Sequence, residues 1–248
     1  MGKALQRIVT LLLIVFVALI LGCGLLQRKM LYYPSHDEGA NGLSEWRIDG
    51  KLVGFAREVA SPVTVWLFLH GNGGQATDRI YALPLFSPLD AVYFLEYSGY
   101  GTRPGSPSMK SINDAAREGF RSLRQKYPSI PVCVVGESIG TGPASYLATV
   151  PNPPDRMVLI TPFDVLSNVA AYHFPYLPAR LILMDNWNNV KALKGYVGPV
   201  EIYAAPADTV IPARFAKALA ASKPGAIYHE IRGGHNDWSM GGEVKLSK

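Results

Sequence analysis

The sequence predicts one α/β domain on a mostly parallel sheet, with antiparallel strands at its start, flanking helices and a small helical cap. Three observations predict it: apolar strand-like runs alternate with helical stretches, a glycine-flanked serine sits at one strand-to-helix junction, and a Pro-, Asn- and aromatic-rich insertion interrupts the alternation late in the chain. The 248 residues, 48% hydrophobic and 17% charged, suffice for one well-filled core and are too few for two ordinary enzyme domains.

The first residues are a different material from the rest. Lys3 and Arg7 precede Ile8 to Leu26, a run without charge that only Thr10, Gly22 and Gly24 interrupt. About 20 apolar residues span a bilayer, so residues 1–27 are expected to insert in a membrane and residues 28–248 to form the folded domain. Ile20-Leu21-Gly22-Cys23 resembles a lipoprotein cleavage site, which makes Cys23 a lipidation candidate, although Leu21 stands where small residues are commoner. An uncleaved anchor is the favoured alternative. Both place the domain on the non-cytoplasmic side under the positive-inside rule.

Period-two patterning then predicts strands at Leu43 to Ile48, Leu52 to Val59 and Val63 to His70, an antiparallel entry to the sheet. Ala91 to Glu96 follows as a strand, Ser111 to Lys126 as an amphipathic helix, Pro131 to Val135 as a strand and Ile139 to Thr149 as a helix. Met157 to Ile160, Val200 to Ala204 and Ala226 to Ile231 complete the strands, with a helix at Ala213 to Ala221. Residues 163–196 are too long for a simple crossover and read as the cap, which would sit over the carboxyl ends of the strands where α/β folds bind ligands.

The net charge of +5 does not indicate nucleic acid, because Lys and Arg are spread along the chain and no basic stretch interleaves with aromatics. Cys133, one of two cysteines, lies in an apolar strand and reads as a small core residue.

Gly136-Glu137-Ser138-Ile139-Gly140 is a G-x-S-x-G set between an apolar strand and a small-residue helix, the context in which a serine is presented on a strained turn. A serine hydroxyl attacks a carbonyl only when a base takes its proton and an acid orients that base. Of the five histidines, His235 follows the last strand in a Gly-Gly loop and is the expected base. His229 lies within a strand, His36 in the linker, His173 in the cap, and His70 at a strand end where it would shape the next loop. Asp208, after the Val200 strand, is the favoured acid and gives the chain order Ser, Asp, His; Asp164, after the preceding strand, is its rival. The backbone N–H groups of Ile139 and Asn72, the latter in His70-Gly71-Asn72-Gly73-Gly74, are the expected donors to an oxyanion. No Gly-Lys-Ser, Gly-Lys-Thr or G-x-G-x-x-G accompanies that loop, so a nucleotide module is not expected.

From about Leu31 to Trp238 the chain resembles the α/β-hydrolase domain-containing serine hydrolases, including their single-pass and membrane-associated depalmitoylating members. The likeness is carried by Leu31-Tyr32-Tyr33-Pro34, His70 to Gly74, Tyr97-Ser98-Gly99-Tyr100-Gly101, Gly136 to Gly142, Thr161-Pro162-Phe163, Phe174 to Pro178 and Gly234-His235-Asn236-Asp237. It implies the α/β-hydrolase fold, a Ser138–Asp208–His235 triad and oxyanion donors at Asn72 and Ile139. It implies hydrolysis of an ester or thioester through an acyl-enzyme, a small-molecule or acyl-lipid substrate, and no metal or organic cofactor. A peptidase-type hydrolase and an inactive scaffold used for binding are the alternatives. Where the family usually carries His-Gly before the acid, this chain reads Ala204-Ala205-Pro206-Ala207.

Overall fold

The computed structural model describes residues 2–37 and 42–246, with side chains at 17, 19–21 and 23–25 outside the description, Cys23 among them. Helix α1 (Lys3–Leu31) is followed by β1 (Tyr33–Pro34), β2 (Ser44–Ile48), β3 (Lys51–Arg57), β4 (Thr64–Leu69) and β5 (Gly73–Gly74). A 3-10 helix (Ala76–Leu85) leads to β6 (Asp90–Leu95), α2 (Met109–Lys126), β7 (Val132–Glu137), α3 (Thr141–Tyr146) and β8 (Met157–Ile160). The insertion holds α4 (Leu166–His173), α5 (Ala179–Ile182) and α6 (Asn189–Leu193), and β9 (Val200–Ala204), α7 (Ala213–Ser222) and β10 (Ile227–Glu230) close the chain.

Eight strands form the main sheet in the order β10-β9-β8-β7-β4-β6-β3-β2. Pairings from β10 to β6 are parallel, and β3 joins β6 and β2 in antiparallel fashion. The expected antiparallel entry holds for β2 and β3, which pair with each other, but not for the third strand: β4 enters the middle of the sheet, parallel to β6 and β7. This is the α/β-hydrolase fold.

The position of β4 explains its composition. Val65, Leu67 and Leu69 face one core, and Trp66 and Phe68 face the other. A strand covered on both faces is apolar throughout, whereas a half-exposed strand alternates with polar residues. The first face is covered by α2, whose Ile112, Ala115, Ala116, Phe120 and Leu123 form the apolar stripe of an amphipathic helix. Ser108 starts that helix by accepting the Ser111 N–H at 3.0 Å. On the second face lie the 3-10 helix, through Ala76 and Ala82, and the tail from Trp238 to Leu246.

Among the described residues no helix is long and apolar enough to cross a membrane. The described apolar side chains of α1 from Leu11 to Phe16 are nevertheless solvent-facing, at 46–63% exposure. The C-terminal end of α1 is docked on the cap. Arg28 donates to Asp185 at 2.9 Å, the Tyr32 hydroxyl reaches the same carboxylate at 3.0 Å, and Gln27 exchanges hydrogen bonds with Ile182 O and Met184 N.

Leu67 is fully buried, in register with Tyr93 on one side and Val134 on the other. Leu67→Ala is expected to lower stability by about 2–5 kcal/mol through the cavity it leaves. Chemical denaturation measures this, and a loss under about 1 kcal/mol would remove β4 from the centre of the core.

Candidate active site

The end of β7 turns sharply into α3, and Ser138 sits on that turn with φ of 53°, a left-handed conformation that costs a residue with a side chain of order 1 kcal/mol. The turn is possible because of the two glycines around it. A Cβ on Gly140 would lie 2.1 Å from Leu69 O, and one on Gly136 would lie 2.7 Å from Gly140 O. Bare backbone lets α3 begin against the end of β4, and the serine is left facing a cavity of about 1210 Å³.

The Ser138 hydroxyl lies 2.8 Å from His235 Nε2, and His235 Nδ1 lies 2.7 Å from Asp208 Oδ2. A carboxylate only accepts, so Nδ1 donates to Asp208, and the Nε2 lone pair is left to accept from the hydroxyl. Asp208 is itself fixed: Oδ1 accepts the backbone N–H of Val210 at 2.8 Å and of Ile211 at 2.7 Å. The carboxylate is buried and both oxygens are engaged, so its orientation is set before any substrate arrives. Despite the missing His-Gly pair, the turn after β9 delivers it.

Asp164 does not reach His235. It accepts from Val165 N and Asn168 Nδ2 at the start of α4 and serves the cap. Of the other histidines, His70 is buried against Tyr97 and bonds Gly71 O, His229 stacks on Tyr203, His36 bonds Gly101 O, and His173 bonds Val210 O in the loop after Asp208.

Asn72 and Ile139 line the same cavity as Ser138 and His235. The Asn72 side chain is spent on structure: Oδ1 accepts from the Tyr100 hydroxyl at 2.9 Å and from Tyr33 N at 3.3 Å, and Nδ2 donates to Leu31 O. The motifs around Leu31, His70 and Tyr97 thus meet in one place. Tyr97 donates to His70 O, Ser35 N to Gly74 O and Gly101 N to Ser35 O.

Sequence reasoning missed Glu137, the first of the two variable residues of the G-x-S-x-G. Its carboxylate is buried and accepts from Gly71 N at 2.9 Å, Arg79 Nε at 2.9 Å, and the Tyr81 hydroxyl and Trp238 Nε1 at 3.3 Å each. Arg79, also buried, donates on to Gly73 O at 2.7 Å. Burial alone would raise the Glu137 carboxyl; the Arg79 charge and the hydrogen bonds outweigh it and hold the group below the usual carboxylate range. Trp238 stacks on Phe68 and, three residues past His235, fixes the end of the histidine loop.

No family model matches the chain. An uncharacterized Mycobacterium tuberculosis protein, Rv2307c, is 31% identical over 230 residues, covering 85% of this chain and 81% of that protein. The zebrafish (Danio rerio) lysophosphatidylserine lipase ABHD12 is 28% identical over 66% of this chain and 48% of its own length. The Xenopus tropicalis ABHD12 is 30% identical over 68% of this chain and 50% of its own length. The chain therefore spans about half of each ABHD12 protein. Among solved structures, the Pyrococcus furiosus esterase Pf2001 superposes with a TM-score of 0.63 at 14% identity, over 82% of this chain and 91% of that one, a likeness of fold. The chain belongs to the α/β-hydrolase family.

Glu137→Gln strips the charge that compensates buried Arg79 and is expected to cost about 3–5 kcal/mol. Because the folded pKa of Glu137 lies below its ordinary value of 4.5, its contribution is present above that value and is lost as pH falls through the lower folded value. Denaturation midpoints measured across pH should drop more steeply in acid for the wild type than for Glu137→Gln. Parallel acid profiles would show that the ion pair does not carry this stability.

Proposed function

We propose that the protein is a serine hydrolase that cleaves an acyl ester or thioester through an acyl-enzyme intermediate. The observation that carries the reading is the continuous hydrogen-bonded chain from Asp208 through His235 to Ser138, opening on a cavity. Ser138 Oγ bonds to the acyl carbon while its proton passes to His235 Nε2, and the backbone N–H groups of Asn72 and Ile139 receive the developing oxyanion. Collapse breaks the bond to the leaving oxygen or sulfur, which takes the proton from Nε2. Water then repeats the sequence and releases the acid. Asp208 holds the imidazole in the tautomer that can accept and stabilises its positive charge.

Relatives named as lysophosphatidylserine lipases support an acyl-lipid substrate. The uncharged run from Ile8 to Leu26 and the outward apolar side chains of α1 support insertion of residues 1–27 in a membrane, with residues 28–248 on the non-cytoplasmic side. An uncleaved anchor is the form we favour over cleavage and acylation at Cys23. The contacts of Gln27, Arg28 and Tyr32 with the cap are compatible with both, since cleavage before Cys23 keeps them.

Ser138→Ala is expected to abolish fluorophosphonate labelling and lower ester turnover by several powers of ten, and Asp208→Asn to lower turnover by about 10⁴ through the wrong tautomer. Asp164→Asn should be far milder. A Ser138→Ala protein that keeps a tenth of wild-type turnover refutes the nucleophile, and a larger loss from Asp164→Asn than from Asp208→Asn refutes the acid.

Intact mass of protein extracted from its native membrane should show a chain beginning at Met1 or Gly2. An acylated chain beginning at Cys23 would replace the anchor with a lipoprotein, and recovery of the protein in the soluble fraction would end the membrane reading.

A further inference from the structure

Next to the main cavity lies a second, of about 120 Å³, between the end of α1 and the α4–α5 pair. The two share walls: Met30, Leu31, Ala170, Phe174 and Leu183 line both. Leu177, Ala179 and Ile182 complete the smaller one, and Gln27 is the one polar residue in its lining. Gln27 Nε2 is committed to Ile182 O and Oε1 to Met184 N. A polar occupant would lose its water hydrogen bonds and find none in exchange, so the space suits an apolar one.

The main cavity has a mixed lining. Asp78, Arg79, Tyr81, Asn236 and Ser239 line it as well as the apolar residues of α1 and the cap. Met30 and Phe174 of the smaller cavity's lining, and Leu26, Tyr176, Leu181 and Met184, each next to a lining residue in the chain, are about half exposed or more. The groove is held in shape by the buried Asp185 carboxylate, which ties Arg28 and Tyr32 of the α1 end to the segment after α5.

We propose that the space between α1 and the α4–α5 pair receives the distal end of a long acyl chain whose carbonyl stands at Ser138, so that the end of the anchoring helix is itself a wall of the acyl site and sets chain-length preference. The inference rests on the hydrolase reading above. An acyl tail fits because five apolar residues line both cavities and the residues beyond them are apolar and exposed. The polar lining of the main cavity serves the leaving alcohol. Each methylene seated in such a site contributes binding that a short acyl group forgoes.

The test uses the full chain in detergent and p-nitrophenyl esters from butyrate to hexadecanoate. Wild type should favour long esters in kcat/KM. Ala170→Phe fills the space and should lower the dodecanoate-to-butyrate ratio of kcat/KM about tenfold, whereas Leu183→Ala enlarges it and should move the optimum to longer chains. Damage to folding lowers both esters together and leaves the ratio alone, and Leu183→Ala decides the matter if Ala170→Phe does not fold. A wild-type preference for butyrate, or unchanged ratios in the folded variants while Ser138→Ala still abolishes hydrolysis, overturns the acyl site and leaves the hydrolase reading standing. Absence of both ester hydrolysis and fluorophosphonate labelling in wild type overturns both.

Discussion

The arrangement of the site depends on one buried ion pair. Glu137 precedes Ser138, and its carboxylate gathers donors from three separate segments: Gly71 in the loop after β4, Arg79 and Tyr81 in the 3-10 helix, and Trp238 beyond the histidine loop. An isolated carboxylate in this position would cost several kcal/mol to bury. The cost is offset because every donor is charged or fixed by backbone and ring packing, and Arg79 is in turn used by Gly73 O. The loop bearing Asn72, the turn bearing Ser138 and the loop bearing His235 are therefore positioned by a common group. A buried pair of this kind adds little net stability compared with apolar replacement, but it permits few alternative arrangements of the segments it joins.

A second layer of fixation runs through backbone and tyrosine hydroxyls. Tyr97 and Tyr100, on the loop after β6, each bond the segment that follows β4, one at His70 O and the other at Asn72 Oδ1. Asn72 passes the constraint to Leu31 and Tyr33, where α1 ends and β1 begins. The two-residue parallel ladder of β1 and β5 closes the circuit. Sequence motifs that look separate along the chain are thus the contact points of one hydrogen-bonded cluster, and the proposed chemistry occupies few of the residues in them.

What the sequence disclosed follows from where each signal originates. The strand at Met157–Ile160 and that at Val200–Ala204 coincide with their expected ranges because a short apolar run bounded by turn residues has a local cause. The turn at Ser138 was legible for the same reason: two glycines at fixed spacing, a strand before and a helix after. The pairing order was not. That β3 lies beside β6 while β4 enters the centre is a long-range choice, and period two cannot express it. The 3-10 helix at Ala76–Leu85 was missed because Pro84 and a glycine-rich approach read as loop. Glu137 and Arg79 escaped notice because a charged residue in a sequence reads as solvated, and only tertiary structure brings its counter-charge within 2.9 Å.

The same distinction bears on how the apolar N-terminal helix relates to the site. Composition separates residues 1–27 from the rest so sharply that a boundary near 27 is the natural reading, yet α1 runs unbroken to Leu31. Its last turns are no longer the uniform apolar material of its beginning: Gln27, Arg28 and Tyr32 bond the cap, and Met30 and Leu31 line the cavity that Ser138 faces. From Leu31 O the path to the loop beside Ser138 is a single hydrogen bond, made by Asn72. A helix end coupled this closely cannot tilt against the domain without straining both the cap latch at Asp185 and the loop at Asn72. That junction, more than the apolar run itself, ties the orientation of the cavity that Ser138 faces to that of the helix, and it makes the position of α1 a constraint on what can approach Ser138.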